Sequence, residues 1–288
     1  MKLRSMAALL VLAILGAACA NSSATPGGGG SGGGTSTAGP DDLVLRIDTS
    51  GGFVAPAYTQ GQFPGFSLFG DGRVISAGAQ IEIYPQPALP PLIVTTIDAA
   101  GVATIVQAAL DAGLGADADY TDLGSTMIAD AATTTFTLTA NGETHVVRVY
   151  ALSELGSKPE QMSEAEFKAR TKLQDLWTSL FDLRRLVGQD SVSDDEVYVT
   201  EEMRLYVTDY QGDSTLKEPT LDWPLAEPLA DFGEPSEAFD ARCGTVSGAD
   251  LAALMPLAEQ ANQLTPWKSD GERYGLVFRP LLPDEIGC

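Results

Sequence analysis

Histidine is nearly missing from this chain. His145 stands alone in 288 residues. Metal centres built on several histidines are therefore excluded. A histidine-based triad would have to use that one imidazole, and no G-x-S-x-G elbow accompanies it. Basic residues are also scarce, 17 against 39 acidic ones, for a formal charge of -22. Such a surface repels phosphate backbones and anionic lipid, so no nucleic-acid partner and no basic-patch membrane contact is expected. No apolar run after Leu15 is long enough to span a bilayer. Cysteine occurs three times. That is too few for a cysteine-rich metal module, since Cys243 and Cys288 lack further Cys or His partners nearby.

What is present begins at the N-terminus. Lys2 and Arg4 precede an apolar run from Met6 to Leu15, and Gly16-Ala17-Ala18-Cys19 follows. A basic start, a short greasy core and small residues up to a cleavage point make an export signal. Cys19 after small residues resembles the lipobox of bacterial lipoproteins, in which that cysteine is acylated and becomes the new N-terminus. Ala18-Cys19-Ala20 also fits an ordinary signal-peptidase site, which would release a secreted protein. The expected segments are a signal peptide over 1–18 and a Gly/Ser-rich tether over 19–40. Membrane contact would run through the N-terminal lipid, on the extracytoplasmic face. A Gly-rich coil has no side chains to bury, so it serves as spacer and not as core. With Cys19 set aside, Cys243 and Cys288 are expected to join, closing a loop that would staple the C-terminus.

The rest of the chain reads as α+β, with antiparallel sheets and packed helices. Leu43 to Ile47 alternates like a strand. Phe66–Phe69 and Arg73–Ser76 flank Gly70-Asp71-Gly72 as a hairpin, and Thr133–Thr139 and Glu143–Tyr150 flank Asn141-Gly142 as another. Ile93–Ile97 predicts a strand, after which Asp98 caps a helix ending at Gly113, with Ile97 and Val102 as its staple. Ser163 and Glu166 form a capping box for one long helix, Glu164 to Val187, stapled by Met162 and Phe167. Its apolar stripe, Leu173, Leu176, Trp177, Leu180, Phe181 and Leu183, is expected to face a core. Met203–Thr208 and Tyr274–Phe278 read as strands. Ser247 is expected to cap a last helix, kinked at Pro256.

The two ends of this pattern resemble each other. Thr96, Ala100, Ala103, Ala109 and Ala112 align with Thr245, Ala249, Ala252, Ala258 and Ala261 when Asp98 is laid on Ser247. Asn141-Gly142-Glu143 has a counterpart in Asp270-Gly271-Glu272, and Tyr84-Pro85 in Trp223-Pro224. The expectation is two strand–helix–strand repeats, in a first half over 41–155 and a second over 201–288, flanking a central helix within 156–200. Tyr84, Pro85, Trp223 and Pro224 are candidate recognition residues. Proline stiffens each segment and the rings offer contact area. The competing reading is a pair of rigid crossovers with the rings tucked inward.

Gly65 to Leu152 carries Phe66-Ser67-Leu68-Phe69-Gly70-Asp71-Gly72-Arg73-Val74, then Ala112-Gly113-Leu114, Tyr120-Thr121-Asp122, Asp130 with Thr133-Thr134-Thr135-Phe136, and Gly142, His145, Val147, Val149 and Tyr150. This pattern resembles a family of exported bacterial domains of unknown function. The whole chain looks like lipoproteins of high-GC Gram-positive bacteria. Neither resemblance implies an activity.

Motifs for chemistry are weak. Asp48-Thr49-Ser50-Gly51 is similar to the Asp-Thr-Gly of aspartic proteases, but Ser occupies the Gly position and no second copy supplies the partner carboxylate. Asp117, Asp119 and Asp122 are spaced like the opening of a calcium loop, yet Asp122 and Ile128 stand where that loop needs Gly and Glu. They are weak metal candidates, and no cofactor is expected. Three classes follow. The leading one is an envelope protein that binds or scaffolds an exported protein, peptide or envelope polymer. The others are an envelope hydrolase using carboxylates, marked by a cleft with two facing acids, and an inhibitor of secreted hydrolases, marked by a protruding loop on a rigid sheet.

Overall fold

A computed structural model describes residues 38–124, 126, 128–212, 218–236 and 240–288. Cys19, the expected signal peptide and nearly all of the expected tether lie outside the described residues. The fold is α+β and is built on two mixed sheets.

The first sheet contains β1 (Leu43–Gly51), β2 (Phe66–Phe69), β3 (Arg73–Ala77), β4 (Leu92–Thr96), β5 (Ala118–Tyr120), β6 (Ala132–Ala140), β7 (Glu143–Tyr150) and β8 (Glu196–Val197). Their order is β5-β7-β6-β1-β2-β3-β4-β8. All pairs are antiparallel except β5 with β7, a departure from the purely antiparallel expectation. The Asn141-Gly142 turn has positive φ at both residues, 55° and 80°, the combination that a two-residue hairpin turn demands. Leu45, Ile47, Leu68, Phe136, Leu138, Val147 and Val149 alternate onto one buried face.

Helices cover that face. A short α1 (Pro56–Gly61) follows β1 but packs instead against the strand Glu272–Pro280, whereas α2 (Ala99–Ala109) follows β4 and lies on that face. The Asp98 side chain accepts from Gly101 N at 2.7 Å, satisfying an otherwise orphaned first-turn N–H. A π-type turn over Leu110–Leu114 then ends the helix, with Gly113 at φ 107°. Ser163 accepts from Glu166 N at 3.1 Å and starts α3 (Glu164–Leu180). The expected single helix does not run on to Val187. It breaks at Phe181-Asp182, and Asp182 re-caps α4 (Leu183–Val187) by accepting from Arg185 N at 3.1 Å. Leu173, Leu176 and Leu180 are buried in the same cluster as Ile105 and Phe136. The helix read as central between two halves therefore belongs to the first sheet. Arg170 is buried beneath it and donates to Tyr120 O at 2.5 Å and to Tyr150 O, tying β5 and β7 to α3.

The second sheet contains β9 (Glu202–Asp209), β10 (Leu221–Asp222), β11 (Glu234–Pro235), β12 (Arg242–Ser247), β13 (Trp267–Ser269) and β14 (Glu272–Pro280), ordered β10-β13-β14-β9-β12-β11. Its β10–β13 pair is parallel. The final helix, α5 (Gly248–Ala258), holds Pro256 in its last turn. Ser247 sits at its N-cap position without a side-chain bond, so the expected cap is not made. The two sheets are not copies in strand order. The first sheet places the leading strand of its hairpin, β6, beside β1, whereas the second places the trailing strand, β14, beside β9. The strand before the helix, β12, lies beside β9, but its counterpart β4 is separated from β1 by two strands, β2 and β3.

The C-terminal tail joins the sheets. Leu282 enters a buried cluster with Phe69 and Ile75, on the first sheet's other face. Asp284 pairs with Arg46 at 2.6 Å. Glu285 takes both terminal nitrogens of Arg279 at 2.7 Å. Arg279 also stacks over Phe63, 4.1 Å from the ring centroid. The tail ends on the Cys243–Cys288 disulfide, with Cα atoms 5.8 Å apart.

Candidate functional site

Strand register decides which loops share an end of the first sheet. Ile47 faces Phe66, Ser67 faces Ile75, Ile75 faces Val94 and Ile93 faces Val197. The C-terminal ends of β1, β3 and β8 therefore lie together with the N-terminal ends of β2 and β4. The chain reaches β1 from the opposite end. There Asp42 O accepts from Gly70 N at 3.0 Å, and Leu45 faces Leu138, close to the Asn141-Gly142 turn.

Most exposed large hydrophobics follow strands that end remote from residue 38, with Ile286 on the C-terminal tail as an exception. Phe53, Val54 and Tyr58 follow β1. Ile81, Ile83 and Tyr84 follow β3. Val197 and Val199 sit on and just after β8. Scattered exposed apolar side chains need no explanation, whereas one end rimmed by them does.

A cleft of about 320 Å³ opens at the same end. The break between α3 and α4 creates it, because the helices stop before covering the outer strands. Phe66, Ile93 and Thr95 form its floor, and Trp177, Phe181 and Asp195 belong to its walls. The Trp177 ring leans on Gly65, where a Cβ would lie 2.6 Å from Cη2. Trp177 and Phe181 contact at 4.5 Å between centroids, and Phe181 is 73% exposed. Asp182 and Asp195 both reach the cleft, yet Asp182 caps α4 and Asp195 accepts from Thr95 Oγ1 at 2.8 Å. Arg184 pairs with the fully exposed Asp194 at 2.9 Å. A larger cavity, about 770 Å³, lies at the other end beside Asp41, Asp42 and Asp284.

The sequence candidates are dispersed. Tyr84 is 70% exposed, and its loop is fastened at the base by Ala88 N to Ala261 O and Gln263 N to Gln86 O, at 3.0 and 2.9 Å. Trp223 is 8% exposed. Its ring packs edge-on against Phe232 and Trp267, and Nε1 donates to Glu227 O at 2.8 Å. Trp223 is thus a core residue, and Tyr84 and Trp223 do not form one matched surface. The reason is that the Trp223 N–H joins Lys268 O beside the β10–β13 pair, which turns the ring inward. Asp117, Asp119 and Asp122 do not converge. They accept from Val146 N, Thr121 N and Gly124 N at 2.7, 2.9 and 2.8 Å, and among the described residues no cluster of metal ligands forms. His145 stands between Asp117 and Glu143 at 3.8 and 3.7 Å.

Asp48 lies on the first sheet's other face. Burial pushes its carboxyl above the ordinary range, against the pull of Thr49 N–H and of Arg46 and Arg279. Burial also opposes ionisation of Glu285, but the Arg279 fork outweighs it and holds that carboxyl below its usual range. Two neighbouring carboxylates are thus driven apart in acidity. Glu285 is already clamped by the Arg279 guanidinium of β14, and the tail is fastened to β1 by Arg46–Asp284, so this group reads as a structural lock.

Phe181, Ile93, Asp195, Val197 and Val199 were not singled out by the sequence as site residues. The alternation Glu196-Val197-Tyr198-Val199 was the available signal for the last two. No family model, curated protein or solved structure matches the chain.

Proposed function

We propose that this chain is an extracytoplasmic binding protein, anchored through a lipid on Cys19, that presents the exposed end of its first sheet to another exported molecule. One observation carries this reading. The apolar rim and the α3–α4 cleft lie together at the sheet end remote from the point where residue 38 leads into β1. Attachment at residue 38 would use none of the residues that line the cleft. The cleft has the small size and mixed apolar and polar lining of a recognition pocket.

A second reading is favoured by the loop over 78–91. Residues 79–84 are all exposed, while its base is fixed to the second half at Ala261 and Gln263. A protruding apolar segment on a pinned base suits an inhibitor that fills a hydrolase cleft.

Two experiments test these readings. Cys19→Ser should move the protein from the membrane fraction to the medium, and unchanged partition would remove the anchor. Capture of a partner from native envelope should fail for Phe181→Ala and survive Tyr84→Ala if the cleft binds. The reverse pattern would select the inhibitor.

A further inference from the structure

The outer edge of β8 is an open pairing site beside the cleft. Tyr198 N donates to Leu92 O at 3.0 Å, and Glu196 faces Val94 in register. Backbone groups alternate along a strand. Those of Val197 and Val199 therefore turn away from β4. Residues 193–197 are all exposed, and Val197 is 78% exposed. Side chains alternate too. Val197 faces Ile93, and residues directly opposite share a face, so Val197 projects on the side of Ile93 and Thr95, which floor the cleft. Tyr198 projects to the other side, where its hydroxyl donates to Leu281 O at 2.8 Å.

Charge selects the occupant. Asp194, Asp195, Glu196, Glu201 and Glu202 surround this edge without one basic residue between positions 186 and 203. Arg185 and Arg204 bracket this acidic stretch in sequence; Arg184 is paired with Asp194, and Arg204 donates to Ile286 O and Gly287 O. Like charges facing each other across a strand pair are unfavourable, so two copies of this chain are poorly suited to join edge to edge. Charge on an edge strand is also a guard against such pairing. A strand carrying lysine or arginine alternating with apolar residues satisfies both features.

We infer that the free side of β8 takes up an extended, cationic segment of an exported protein as an added strand, with its apolar residues directed into the cleft beside Trp177 and Phe181. This rests on the binding role proposed above and names its partner class. Main-chain bonds would supply affinity and the cleft would supply selectivity, as in other cases of strand addition.

The test uses the full-length protein and an eight-residue peptide of alternating lysine and valine. Trp177 is the reporter, because Trp223 and Trp267 are buried. Saturable change in tryptophan fluorescence is expected, weakening with salt, and absent for Trp177→Phe. An alternating glutamate–valine peptide should give none. Val197→Pro removes an outward N–H and leaves the bonds to β4 in place. It should weaken binding at least tenfold with an unchanged melting temperature. Equal binding to Val197→Pro, or equal binding of the glutamate peptide, would overturn the inference. Failure of the lysine peptide while Phe181→Ala still abolishes capture from native envelope would overturn strand addition alone and leave the binding role standing.

Discussion

Tyr84-Pro85 and Trp223-Pro224 share a local pattern and meet opposite fates. Tyr84 is 70% exposed on a loop between β3 and β4, whereas Trp223 is 8% exposed in a cluster with Phe232, Trp267 and Phe278. The difference extends to the sheets that carry them. The second sheet closes around its aromatic residues. The first is only partly covered, because the break at Phe181-Asp182 stops the helices short of β4 and β8. An aromatic–proline pair thus stiffens a segment without deciding where its ring goes. The neighbouring backbone pairing decides that, and incomplete helical cover leaves the cleft open.

The sharpest way to break this comparison is to truncate both rings. Trp223→Ala should cost about 4 kcal/mol in urea unfolding, the usual loss for a large buried aromatic. Tyr84→Ala should stay within about 0.5 kcal/mol of wild type. Equal losses would mean that the Tyr84 ring is also a core element.

Next in size is the staple that joins the tail to the second sheet. Replacing Cys243 and Cys288 together by serine should lower stability by about 2–5 kcal/mol. Thiol titration of the native protein should find neither residue free.

Glu285→Gln should cost about 3 kcal/mol at neutral pH, because it leaves buried Arg279 without its counter-charge. The pH dependence separates Glu285 from Asp48. The Glu285 carboxyl is held low, so its contribution is complete above the unfolded-state value of about 4.3 and fades as pH falls through the folded value. The Asp48 carboxyl is held high, so its contribution favours the fold at low pH and is lost as pH rises through the raised value. Glu285→Gln should therefore shallow the loss of stability on acidification below about pH 4.3. An unchanged acid limb would show that the tail lock does not depend on this charge.

The smallest expected effect compares two helix starts. Asp98→Ala removes a real capping bond and should cost about 1 kcal/mol. Ser247→Ala removes none and should cost at most a few tenths of that. Equal costs would restore the likeness between α2 and α5.

Features governed by short-range chemistry were legible in the sequence. Asn141-Gly142 marked its hairpin, Asp98 marked the start of α2, and Gly113 marked the end of its continuation, because each acts on backbone within a few residues. The Cys243–Cys288 pairing was legible because so few cysteines leave little choice. The break in the long helix was missed, although Asp182 ahead of Leu183-Arg184-Arg185 is a capping signal. An unbroken apolar stripe masked it, and Phe181 was assigned to the core for the same reason. Strand order could not be read. Placing β14 and not β13 beside β9 depends on contacts far apart in the chain, as does the grip of Arg279 on Glu285 beneath β1. The cleft itself was invisible, since it arises where α3 and α4 fail to cover β4.

The central claim is that the partner meets the sheet end that carries Phe181 and not the end that carries Asn141. A photo-crosslinking residue placed at position 181, and separately at position 141, in the full-length protein within native envelope tests it most directly. The account predicts a specific adduct from position 181 and none from position 141. Adducts from position 141 alone would contradict it.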